Sequence, residues 1–163
     1  ENMKRKIFVL MLTAAVIAMS FCLSGCGKNE KDPEITDTDK TPAVVDAKWA
    51  EDELENYNEY DEFTADTYEY QSKVLFTADR SVKNFNVLAL TMEDVDDDGN
   101  VTFSEKSIHT LATLKPERPL MVRMTFEGTI PNYGISYTDT DGSTKRFAVQ
   151  ISGKDGSIIL SEF

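Results

Sequence analysis

Residues Asp94 to Glu105 read DVDDDGNVTFSE, an ordered series of oxygen-bearing side chains suited to a hard cation. Calcium prefers carboxylate and carbonyl oxygens, and the twelve-residue loop that holds it has a fixed order of donors. Side-chain oxygens stand at positions 1, 3 and 5, glycine turns the chain at 6, a carbonyl serves at 7 and a bidentate glutamate closes the shell at 12. Asp94, Asp96, Asp98, Gly99, Asn100 and Glu105 occupy those places. Other chemistry is sparse. His109 is the only histidine, and the two cysteines, Cys22 and Cys26, both lie near the start of the chain. A zinc site with the usual nitrogen and sulfur ligands is therefore out of reach. No Gly-x-Ser-x-Gly elbow marks a serine nucleophile. The run SGKDGS at 152–157 lacks phosphate-loop spacing. The chain reads as a non-enzyme, with a small hydrolase accessory domain as a second alternative.

The elements around the acidic loop argue against the calcium reading. The pattern is that of an EF-hand, which needs an amphipathic helix on each side. The upstream run FNVLALTM favours a strand, and VTFSEKSIHTL downstream begins with alternation. The competing expectation is a hairpin turn centred on DDGN, with Gly99 supplying positive φ and the aspartates facing water. A calcium-binding extracellular module using Asp94, Asp96, Asp98, Asn100 and Glu105 stands as the alternative. The cluster Asp139–Ser143 is read as a turn.

The first residues carry a different signal. Lys4, Arg5 and Lys6 precede an uncharged, mostly apolar run from Ile7 to Leu23, and Leu23-Ser24-Gly25-Cys26 follows. A positive start, an apolar stretch and small residues mark a secretory leader. The LSGC box resembles that of bacterial lipoprotein signals. The resemblance implies cleavage before Cys26 and a diacylglycerol thioether on its sulfur. The chain would then be an extracytoplasmic protein lipid-anchored to the cell membrane. Glu1 and Asn2 precede Met3, which is the expected start.

Charge and periodicity divide the remainder. Residues 30–70 carry 15 acidic side chains against three lysines, while 71–163 carry 13 acidic and 10 basic ones. The acid is thus assigned to an arm rather than to the folded domain. A disordered acidic tether is expected over 26–45, polar and without a burying face. Over 46–66, Ala47, Ala50, Leu54 and Tyr57 fall on one helical stripe, predicting a short acidic amphipathic helix that docks Trp49, Leu54 and Tyr57 on the domain. No basic patch is present to neutralise phosphate, which excludes nucleic acid as a partner.

From residue 67 to 163 the apolar period is two. Tyr68, Tyr70, Ser72, Val74, Phe76 and Ala78, then Phe85, Val87, Ala89 and Thr91, Val101 and Phe103, Val122, Met124 and Phe126, Ile135 and Tyr137, Phe147, Val149 and Ile151, and Ile158 and Leu160 alternate between turns such as DDDGN and SGKDGS. Seven short strands joined by Gly and Asp turns predict an all-β, antiparallel, immunoglobulin-like sandwich. The segment from Met124 onward is similar to small secreted lipoproteins of anaerobic Gram-positive bacteria, a resemblance that implies location and fold. The expected role is a membrane-anchored binding or scaffolding module. An envelope protein, a wall polymer or a glycan would be its partner, with no cofactor unless the acidic loop takes calcium.

Overall fold

The computed structural model describes residues 41–163. The leader at 1–25, Cys26 and the tether as far as residue 40 lie outside the described residues. Among the described residues nine strands form two sheets: β1 (Val45–Trp49), β2 (Asp61–Thr64), β3 (Ser72–Ala78), β4 (Val82–Val95), β5 (Val101–Leu114), β6 (Leu120–Met124), β7 (Tyr133–Thr138), β8 (Thr144–Ile151) and β9 (Ile158–Glu162). The first sheet runs β1-β3-β6-β2 and the second β5-β4-β7-β8-β9. All neighbours are antiparallel except β2 and β6, which run parallel, so the expected antiparallel arrangement holds with one exception.

Alternation places the core. Val74, Phe76 and Ala78 of β3 and Val122 and Met124 of β6 turn inward from the first sheet. Phe85, Val87, Ile135, Tyr137 and Val149 meet them from the second. Phe76 and Phe85 touch across the gap with ring centroids 5.8 Å apart. Burying both inner faces against each other is what makes two sheets stable together.

The helix expected over 46–66 is corrected to one turn, α1 (Ala50–Glu53), followed by a 3-10 turn at Leu54–Asn56. Its flanks are strands. Val45 to Trp49 add to β3, and Asp61 to Thr64 add to β6. Ala47 enters the main core, while Ala50, Leu54 and Tyr57 cover Leu75 and Met121 on the outer face of the first sheet. The docking residues were legible but the element was not. Extended pairing satisfies the backbone of 45–49 and 61–64 against sheet edges, and this outweighs a weak helical stripe. The sandwich therefore starts well before residue 67. Residues 41–163 hold 23 acidic and 11 basic side chains, a net charge of −12, so the acid belongs to the folded unit and not to an arm.

The chain enters through a hydrogen-bonded clasp. The Ala43 N–H donates to Asp139 Oδ1 at 2.8 Å, and the Val44 N–H donates to Asp79 Oδ1 at 2.8 Å. The Thr41 carbonyl accepts from Thr140 Oγ1 at 2.7 Å and from Arg80 at 3.2 Å. This fastens residue 41 at the end of the sandwich formed by the β3–β4 and β7–β8 turns.

Candidate functional site

Strand β4 is longer than its neighbour β7. The β4–β7 ladder ends at Ala89 and Tyr133, while the β4–β5 ladder continues to Val95 and Val101. Irregularities between Val87 and Leu88 and between Met92 and Asp94 bend the free part, as bulges do. The resulting hairpin arm folds over the outer face of β7 and β8. Leu88, Leu90 and Phe103 bury Ala148 there. Phe103 meets Phe163 edge-on at 5.5 Å, although their positions lie toward opposite edges of the sheet. Gly134 makes this approach possible. A Cβ there would stand 2.8 Å from the Phe147 carbonyl oxygen and 3.1 Å from Leu90 Cδ1.

A cleft of about 250 Å³ remains beside the arm, walled by Val101, Phe103, Ile130, Pro131 and Phe163, with Gln150 as a polar contact. It adjoins a second recess of about 240 Å³ on the other side of Thr129–Pro131 and a third of about 410 Å³ between the hairpin and Phe163. Ile130 is 46 % exposed and Phe163 38 %, so the walls present apolar surface to solvent.

The wall at 129–131 is braced from the first sheet. Asp66 Oδ2 accepts from the Thr125 N–H at 2.8 Å and the Tyr133 hydroxyl at 2.8 Å; Oδ1 accepts from Gln71 at 3.0 Å and Thr125 Oγ1 at 3.1 Å. Gln71 also donates to the Asp66 carbonyl. Thr125 and Tyr133 bracket the β6–β7 loop, and Asn132 Nδ2 closes its neck on the Thr125 carbonyl at 2.9 Å. Burial opposes the Asp66 charge, but the bonds from Gln71, Tyr133 and the Tyr68 and Thr125 N–H groups outweigh it and bring its pKa down to about 2. Burial first, and then the Asp66 carboxylate, push the Tyr133 hydroxyl well above its ordinary value. Asp66 carries no motif, and sequence reasoning missed it. Its partners are distant in sequence and meet only in the fold.

Beside the cleft the same face becomes polar. Asn86 Oδ1 accepts from Thr110 Oγ1 at 2.7 Å and from Ser107 Oγ at 3.2 Å, and Asn86 Nδ2 reaches Ser136 Oγ at 3.3 Å. Glu105 and Arg146 form an ion pair at 3.1 Å between the polar and apolar parts.

The structure does not bring the five candidate calcium ligands together. Asp94 and Val95 belong to β4, and Val101 to Glu105 belong to β5. At about 3.3 Å per residue, Glu105 lies roughly 17 Å along its strand from Asn100, and its carboxylate is engaged by Arg146. Asp94 Oδ1 accepts from the Val95 N–H at 2.9 Å. Asp96 caps the turn: its Oδ1 accepts from the Asp98 and Asn100 N–H groups at 3.0 and 2.8 Å, and its Oδ2 from Asn100 Nδ2 at 2.9 Å. Those bonds, the Asn100 side chain first, hold the Asp96 carboxyl below the usual range. Gly99 has φ 84°. The loop is thus a hairpin turn, and the two flanking helices of an EF-hand are strands. Among the described residues no group of three or more His, Cys, Asp and Glu is placed to hold a metal.

His109 sits on β5 and stacks on Phe63 of β2, centroids 4.3 Å apart. Its Nε2 is buried and makes no hydrogen bond among the described residues. It lines none of the recesses above, and the structure does not surround it with convergent carboxylates. Cys26 lies outside the described residues. Compared with the profiles of known protein families, with curated proteins and with solved structures, the chain matches none.

Proposed function

We propose that this chain is a lipid-anchored extracytoplasmic module that binds or scaffolds rather than catalyses, and that its sandwich is immunoglobulin-like in architecture. In this reading Cys26 carries the diacylglycerol and the residues that follow it tether the domain to the membrane. One observation carries the binding half. The apolar cleft lies on the outer face of the second sheet against the β6–β7 loop, at the opposite end of β7 from the β7–β8 turn on which the Thr41–Val44 clasp is held. A tethered module would so present its cleft away from the membrane. The non-catalytic half is supported by what the shifted groups do. Asp66 and Tyr133 bond each other to brace a loop, and Tyr137 is raised to about 12 by burial and then by Asp139.

Two measurements test the reading. Cys26→Ser in the full chain is expected to move the protein from the membrane fraction to the soluble extracytoplasmic fraction; firm membrane retention with a cleaved leader rejects the anchor. Capture from cell-envelope extract by the full chain is expected to fall when Ile130→Asp places a charge in the cleft. Equal capture by both chains removes the cleft from the function, whether the captured partner is a protein, a wall polymer or a glycan.

A further inference from the structure

The rims of the cleft share one sign of charge. Residues 93–105, 126–132 and 158–163 form the hairpin arm, the β6–β7 loop and the β9 side. They contain Glu93, Asp94, Asp96, Asp97, Asp98, Glu105, Glu127 and Glu162, and not one lysine or arginine. Glu105 is neutralised by Arg146, and Glu162 stands 4.0 Å from Lys145. The five carboxylates of the hairpin tip have no ion-pair partner among the described residues. Elsewhere on the domain several acids do have a cation beside them: Glu53 has Lys48, Asp61 has Arg118 and Glu62 has Arg123. A run of unpaired carboxylates thus stands at the tip of the hairpin, beside the exposed Ile130 and Phe163 and the half-buried Phe103.

Resting on the binding-module reading above, we propose that the cleft docks a basic amphipathic segment of a partner protein. Its apolar side chains would seat against Phe103, Ile130 and Phe163, and its lysines or arginines would face the hairpin tip and Glu162. The physics separates this occupant from the others. Apolar burial supplies the attraction at short range, and the acidic rim speeds the encounter and selects sign. A second copy of this chain would bring a like-charged rim against the first, which costs free energy rather than adding to it. A neutral apolar ligand would leave the tip carboxylates unmatched.

The test is a fluorescence-anisotropy titration of the full chain with a labelled amphipathic leucine–lysine peptide, alongside a leucine–glutamate peptide of the same apolar order. Saturable binding of the lysine peptide alone, weakening as salt rises, is expected. Phe103→Ala should weaken it by about ten-fold or more, as loss of a buried aromatic anchor does. Since Phe103 also packs on Ala148, the solvent-exposed Ile130→Asp serves as the second variant, with far-UV circular dichroism and a melting curve to establish that both fold. The combined Asp97→Asn, Asp98→Asn and Glu162→Gln variant, which spares the turn-capping Asp96, should flatten the salt dependence. No saturable binding, equal binding of both peptides, or lysine-peptide binding that ignores the folded Phe103 and Ile130 variants each overturns the proposal. A dimer in sedimentation equilibrium that Ile130→Asp dissolves would assign the cleft to self-association and overturn it too. Failure here with Ile130-dependent envelope capture intact would reject this occupant and keep the binding module.

Discussion

Asp66 links two loops and both sheets through one carboxylate. Its side chain accepts from Gln71, Tyr68, Thr125 and Tyr133, so the ionised form is bonded in the fold and only hydrated when unfolded. Its pKa is therefore lowered on folding, to about 2. The stability it contributes is fully present above the unfolded carboxylate value near 3.9 and is lost as pH falls from about 4 through about 2. Asp66→Asn is expected to cost about 2 kcal/mol at neutral pH, the scale of charge-assisted hydrogen bonds. The difference from the unaltered chain should shrink toward pH 2, read by urea denaturation at both pH values. Glu105 supplies a second residue-scale prediction. With its carboxylate on Arg146 and its strand leading away from the turn, Glu105→Gln should leave any calcium-dependent shift in melting temperature unchanged. Loss of a calcium shift in that variant would restore the closed loop.

At the scale of elements, the hairpin arm decides where the cleft is. The arm exists because β4 and β5 outrun β7, and the extra residues Ile108 on β5 and Glu93 on β4 bend it. Leu88 and Leu90 face outward by alternation from the inward Val87 and build a small cluster outside the main core, with Phe103 and Ala148. Gly134 is the hinge of this arrangement, being the position over which Leu90 lies. Gly134→Ala should destabilise the protein by about 1–3 kcal/mol, the cost of overpacking against backbone that cannot easily move. Its thermal midpoint should fall while the circular dichroism of the sheets is retained. An unchanged midpoint would mean that the arm does not press on β7.

For the whole molecule, the charge of −12 on residues 41–163 makes sign a property of the domain surface. Such a surface repels its own kind and favours cationic partners at low salt. The Thr41–Val44 clasp sits at one end of β7 and the β6–β7 loop that walls the cleft at the other, which gives the domain a polarity. Under the proposed anchoring at Cys26, cleaving the chain ahead of Thr41 should release the domain without loss of the proposed peptide binding, whereas Ile130→Asp should abolish that binding without release. Membrane fractionation and peptide titration on the same preparations check the two halves separately.

Alternation at period two and glycine–acid turns determined the strands from Ser72 onward and most of the core, because these are local signals of which face is buried. Val74, Phe76, Phe85, Val87, Val122, Ile135 and Val149 could be assigned inward from the chain alone. The hairpin at DDGN was legible for the same reason. Residues 45–64 were not. Ala47, Ala50, Leu54 and Tyr57 satisfy a helical stripe as well as they satisfy a strand and a single covering turn. Only the free edges of β3 and β6 chose between the two, by offering backbone partners that a solvated helix does not need. The cleft was equally hidden, since its walls come from Phe103, Ile130 and Phe163 and its brace from Asp66, and proximity between such residues is made by the folded sheets and not by spacing along the chain.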